Sequence, residues 1–135
     1  MNTQVIQEIM VVEDEAILLQ AITTKLQKNN IKTVSCVGGK QALEYLENLD
    51  HLPDAIWLDY YLKDMDGLGF AQELKKNEQW AKIPIIVVSN SASPDKVKNM
   101  LALGINKYIL KAEYRLDDIV KLIEEMIVDA KRGGE

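Results

Sequence analysis

Cysteine, phenylalanine and histidine each occur once in these 135 residues, and proline only three times. The lone thiol, Cys36, excludes an internal disulfide, and with His51 as the only other softer ligand a zinc-type centre is disfavoured. Its plain reading is a small buried hydrophobe on a strand. No apolar run approaches membrane-spanning length, and Met1–Glu8 lacks the basic start and apolar stretch of a secretory signal, so no membrane contact and a cytoplasmic location are expected. Basic residues are in the minority, 16 Lys and Arg against 21 Asp and Glu, for a net charge of −5. That balance argues against direct nucleic-acid binding, which draws its affinity from clustered cations that displace counterions. Internal repeats, low-complexity tracts and linkers are also missing.

What remains is a globular composition, 47% hydrophobic and 27% charged, in a chain of one-domain length. A single domain over 1–135, with its core at about 8–128, is expected. Four short apolar runs, Ile9–Val12, Ala55–Leu58, Ile85–Val88 and Tyr108–Leu110, are too brief for helices and mostly lack alternation, as strands buried on both faces do. Lys32–Val37 alternates instead, setting Val34 and Cys36 against Thr33 and Ser35, which predicts a half-exposed edge strand.

Segments of helical period separate these runs. Their apolar stripes are Leu18, Ala21, Ile22 and Leu26; then Ala42, Leu46 and Leu49; then Leu68, Ala71 and Leu74. A fourth helix opens at Ser93 and Pro94, as N-cap and first-turn residue, and closes at Gly104. The last carries Leu116, Ile119, Val120, Ile123, Met126 and Ile127 on one face, before a short polar tail. Five alternations of strand and helix predict an α/β fold, a doubly wound five-stranded parallel sheet with helices on both faces. In such sheets the working site lies at the carboxyl ends of the strands.

Those ends are polar. The first strand runs into Glu13-Asp14-Glu15, the third into Asp59, the fourth into Ser89 and the last into Lys111. Carboxylates gathered at one edge repel and raise one another's pKa values unless a cation neutralises them. Oxygen-only ligands with room for water suit Mg²⁺. A carboxylate can itself attack a phosphoryl group if the charge on the transferring oxygens is neutralised, a task for Mg²⁺ and Lys111. Asp59 is the best nucleophile because a buried strand holds it; Glu13 and Asp14 begin a loop, as metal ligands do; the Ser89 hydroxyl can donate to a phosphoryl oxygen. Taken singly, Glu13–Glu15 would be a solvated acidic turn, Lys111 a surface lysine and Ser89 a strand-end hydroxyl. Their joint placement points away from those readings.

Together these segments resemble the response-regulator receiver domains of bacterial two-component signalling, from about Glu8 to Val128. The resemblance rests on Val11-Val12-Glu13-Asp14, on Leu58-Asp59-Tyr60-Tyr61-Leu62 followed by Met65-Asp66-Gly67, on Ile83-Pro84-Ile85-Ile86-Val87-Val88-Ser89 and on Lys107-Tyr108-Ile109-Leu110-Lys111. It implies a flavodoxin-like fold and a phosphorylation-dependent switch rather than an enzyme acting on other molecules. By the same resemblance Glu13, Asp14, Asp59 and the Tyr61 backbone carbonyl hold Mg²⁺, and Asp59 takes its phosphoryl group from a sensor histidine kinase or phosphotransfer protein. Ser89 and Lys111 then contact that group, and Tyr108 reports the change together with Ser89. Output, or homodimerisation, is implied through the fourth helix, last strand and fifth helix.

Three departures stand out. Many members of the family carry proline where this chain has Lys63 and Ala112, and a small residue where it has Asn90. The loop after Lys111 is therefore expected to run differently, without the cis bond that a proline there favours. Asn90 and the bulky Tyr61 are expected to obstruct the attacking water and slow phosphoryl turnover. The departures also motivate a second reading, a phosphate-independent receiver-like interaction module. A metal-dependent phosphatase of small molecules is disfavoured by Tyr61, which stands where that class usually has a second aspartate. Gly38-Gly39 is no phosphate-binding glycine loop.

Overall fold

The computed structural model describes residues 7–133; residues 1–6 of the expected N-terminal segment and the last two of the polar tail lie outside them. Five strands alternate with five helices: β1 (Glu8–Val12), α1 (Ala16–Lys28), β2 (Lys32–Cys36), α2 (Gly39–Asn48), β3 (Ala55–Asp59), α3 (Gly67–Lys75), β4 (Ile85–Ser89), α4 (Pro94–Ala102), β5 (Lys107–Leu110) and α5 (Leu116–Gly133). All four strand pairings are parallel, in the order β2-β1-β3-β4-β5. The alternating strand run is thus an edge strand, as expected.

Side-chain alternation divides the core into two layers. Ile9, Val11, Trp57, Ile86, Val88 and Ile109 face α1 and α5, whose Ile22, Leu26, Ile119 and Ile123 close that side. Met10, Val12, Ile56, Leu58, Ile85 and Val87 face α2, α3 and α4, through Ala42, Leu46, Phe70, Leu74 and Met100. Each central strand is buried on both faces, which explains its continuous apolar run.

One strand expected to be buried is not: β5 forms the other edge of the sheet and is half-buried, with only Ile109 buried, because just one neighbour covers it. The other differences from expectation are local. Strands extend one residue at a polar end, to Glu8, Asp59, Ser89 and Lys107, because a polar residue still supplies its backbone to the ladder. The second strand stops at Cys36, since the Val37 N–H turns away to the Gln41 side chain at 2.8 Å. Ala21 is exposed rather than part of the α1 stripe, which is narrower and centred on Ile22 and Leu26. Cys36 is buried, and burial pushes its thiol up to about 12, so it is an inert core residue.

The loop between β3 and α3 folds back on itself. Tyr61 bridges Asp66 in antiparallel fashion, and the Gly67 N–H donates to the Tyr60 carbonyl. A Cβ at Gly67 would lie 3.1 Å from the Tyr60 Cα, so glycine permits this close approach. Asp66 then caps α3 by accepting from the Gly69 N–H at 2.8 Å.

Candidate functional site

Three carboxylates meet at the carboxyl edge of the sheet. Glu13 and Asp14 follow β1, Asp59 ends the adjacent β3, and one oxygen from each lies within 4.8 Å of the others. Glu13 and Asp59 are buried, with 1% and 6% of their surface exposed. Lys111, at the end of β5, reaches both: its Nζ lies 3.2 Å from Glu13 Oε1 and 3.4 Å from Asp59 Oδ1. It does so without a cis bond, none occurring among the described residues, and a 3₁₀ turn over Lys111–Glu113 leads into α5. With Ala112 in place of proline, the lysine is still aimed at the acids.

Further hydrogen bonds orient the carboxylates. Glu13 Oε2 accepts from the Glu15 N–H at 3.1 Å, and Asp14 Oδ2 accepts from the Lys63 N–H at 2.8 Å. The ammonium of Lys111 offsets only part of the crowding at Asp59. Burial first, and then the Glu13 charge, push the Asp59 carboxyl up to about 6, against the pull of Lys111. A cavity of about 200 Å³ beside the Lys111 stem, walled by Leu18, Ile22, Trp57, Val88 and Ile119, makes that flank of the site apolar. A cluster that raises an acid's pKa in this way stores a demand for a cation, and its donors are all oxygen, the set that suits Mg²⁺.

Ser89 is fully buried at the end of β4, one residue beyond Val88, which pairs with Asp59 on β3. Its Oγ accepts from the Ser91 N–H at 3.3 Å, which leaves the hydroxyl proton free to donate. Tyr108 on β5 does not bond Ser89 directly; its hydroxyl donates to the Ser91 carbonyl at 2.9 Å, so Ser91 links the two. Asn90 is exposed. The Tyr61 ring bridges from the β3–α3 loop to the β4–α4 loop, its hydroxyl 3.3 Å from Ser91 Oγ and bonded to the Lys96 ammonium of α4.

The arrangement is an acidic pocket with two buried carboxylates, Glu13 and Asp59, one ammonium bonded to both, and one hydroxyl at the end of the neighbouring strand. The model of the response regulator receiver domain matches residues 9–124. The chain belongs to the response-regulator receiver family. Among curated relatives, the two-component response regulator ORR8 of Oryza sativa subsp. indica is 29% identical over 103 residues, covering 76% of this chain and 84% of the relative. The receiver domain of sensor histidine kinase PA1611 from Pseudomonas aeruginosa PAO1 superimposes with a TM-score of 0.79 at 26% identity, over 91% of this chain and 98% of that one. Its structure has a magnesium ion coordinated in the active-site cleft. A CheY-like receiver domain protein from Methanospirillum hungatei JF-1 shares the fold with a TM-score of 0.86 at 19% identity, over 96% and 99% of the two chains. The receiver domain described here is thus a signalling domain of two-component systems, and among its described residues no helix is long and apolar enough to cross a membrane.

Four site residues named from the sequence, Glu13, Asp14, Asp59 and Lys111, are brought into one pocket, and Ser89 lies at the same edge of the sheet, at the end of the adjacent β4. Tyr108 lies one hydrogen-bonded residue away. Sequence reasoning missed Ser91 and Lys96, which the β4–α4 loop and α4 bring to the Tyr61 hydroxyl at the rim of the site. It also missed Asp64, whose carboxylate accepts from the Gly39 and Lys40 N–H groups at 3.1 and 2.9 Å and caps α2 from the loop after β3. Burial works against that carboxyl's charge, yet the Lys40 and Gly39 amides hold it below the usual range.

Proposed function

We propose that this domain is a phosphorylation switch that accepts a phosphoryl group on Asp59 from a phosphohistidine of a sensor kinase or phosphotransfer protein. The observation that carries the reading is the meeting of Glu13, Asp14 and Asp59 at one strand edge, with the Lys111 ammonium on two of them. Glu13, Asp14, Asp59 and the Tyr61 backbone carbonyl would hold Mg²⁺, which when bound neutralises charge on the transferring oxygens. An Asp59 carboxylate oxygen forms the new bond to phosphorus as the bond from phosphorus to the donor's imidazole nitrogen breaks. Lys111 then pairs with a phosphoryl oxygen, and Ser89 donates to another.

Once Ser89 turns to the phosphoryl group, its bond from Ser91 is disturbed, and Tyr108, which holds the Ser91 carbonyl, is placed to register the change. New charge-assisted bonds contribute about 1.5–3 kcal/mol each, and inverting a 1:99 population takes about 5.5 kcal/mol, so two or three such bonds suffice. The output surface is α4, β5 and α5, where Leu101 is exposed, and a homodimer through it is one form of output. The chain acts in the cytoplasm as one domain.

Metal binding tests the reading independently of a donor. Mg²⁺ should raise the melting temperature of the wild type and leave Asp14→Asn and Asp59→Asn nearly unmoved. An equal rise in all three would place the ion elsewhere. Phosphotransfer from a phosphohistidine protein should label the wild type and not Asp59→Asn.

A further inference from the structure

Lys96 lies in the first turn of α4, behind the Ser93 cap whose Oγ accepts its N–H at 3.2 Å. A cation there opposes the helix dipole, so helix stability gives no reason for it. Among the described residues no carboxylate lies within ion-pair distance of its ammonium. The ammonium instead donates to the Tyr61 hydroxyl and lies 5.3 Å from the centre of the Tyr60 ring. Tyr61 is held from two further sides, by Ser91 Oγ at 3.3 Å and by the Tyr60 ring edge-on at 4.9 Å between centres. A tyrosine that keeps 44% of its surface exposed is therefore fixed across the rim between the ends of β3 and β4, the strands that carry Asp59 and Ser89.

We propose that Lys96 is a positioning residue for the phosphoryl chemistry: it holds the Tyr61 ring across the rim of the site and so lengthens the life of a phosphorylated Asp59. The inference rests on Asp59 being the acceptor. Hydrolysis needs a water oxygen to bond to phosphorus as the phosphorus–oxygen bond to Asp59 breaks, releasing hydrogen phosphate, a proton and the free carboxylate. A ring pinned over the rim excludes water from the approach to phosphorus; a ring free to swing outward admits it. Because Lys96 belongs to α4, the lifetime of the phosphoryl group is tied to the position of that helix.

The test loads the full chain with acetyl phosphate and Mg²⁺, removes the donor, and follows loss of the phosphoryl group by intact mass. Lys96→Met and Tyr61→Phe should each shorten the lifetime roughly three- to tenfold, the range of one ordinary net hydrogen bond, since solvent screens the charge at this exposed site. The double variant should lose no more than either single one, since both remove the same contact. Lys96→Arg should restore a long lifetime, and Lys98→Met, which takes an equal charge from the same helix, should leave it unchanged. Loading of the wild type with equal lifetimes in Lys96→Met, or equal shortening by Lys98→Met, would overturn the proposal alone. Failure of the wild type to load would overturn the reading of Asp59, and the proposal with it.

Discussion

Lys63 stands where many members of the family carry proline, and here its backbone N–H, which proline lacks, donates to Asp14 at 2.8 Å. A departure that loosened the sequence match thus becomes a bond that orients one acid of the pocket. Asp59 sets the pH behaviour. With its carboxyl pushed up to about 6 from 3.8, the folded state holds the proton more tightly than the unfolded one. Its contribution to stability is then full below about pH 4 and is lost as pH rises through about 6, at a cost on the order of 2–3 kcal/mol. In EDTA, Asp59→Asn should therefore gain stability over the wild type between pH 4 and 6, with the gap level above that, as read by urea unfolding; a gap independent of pH would contradict the account. Lys111→Met should raise the Asp59 carboxyl above 6, measured by carboxyl ¹³C titration, because the ammonium is what pulls it down. Glu13, Asp14, Asp59 and Lys111 were legible in the sequence because each lies at the carboxyl end of an apolar strand run. Lys96 was not, since nothing local to α4 says that a tyrosine 35 residues earlier will meet it.

At the scale of elements, α4 was the most readable helix. Ser93 caps it through the Lys96 N–H, Pro94 opens it, and Gly104 closes it at φ 94°. Ser93→Ala should cost about 0.5–2 kcal/mol, and Gly104→Ala about 1 kcal/mol for the left-handed conformation, both by chemical denaturation. The start of α2 was opaque by contrast, because its cap comes from Asp64, 25 residues downstream. Asp64→Ala should cost about 1–2 kcal/mol, and hydrogen exchange should rise first at Gly39 and Lys40. The α1 stripe was read too wide: Ala21 has helical spacing, yet only the narrow strip packed on the sheet and α5 is buried. Spacing marks a helix reliably, whereas the width of its buried face depends on what covers it.

For the whole molecule, the pattern of short apolar runs fixed the class of fold because a strand covered on both faces has no polar side to show. The two core layers meet through the sheet, with Trp57 among the largest fully buried side chains, two residues before Asp59. Trp57→Ala should cost about 3–5 kcal/mol and weaken Mg²⁺ binding with it, since β3 carries both the core residue and the acid. The placement of loops against one another, which sets the Ser89–Ser91–Tyr108 path and the Tyr61 bridge, depends on tertiary packing that no local pattern encodes. The central claim concerns chemistry at one oxygen, and intact-mass analysis after incubation with acetyl phosphate and Mg²⁺ tests it most directly. The account predicts the gain of one phosphoryl group in the wild type, none without Mg²⁺ and none in Asp59→Asn. A folded, Mg²⁺-loaded wild type that gains nothing, or an Asp59→Asn variant that gains as much, would contradict it.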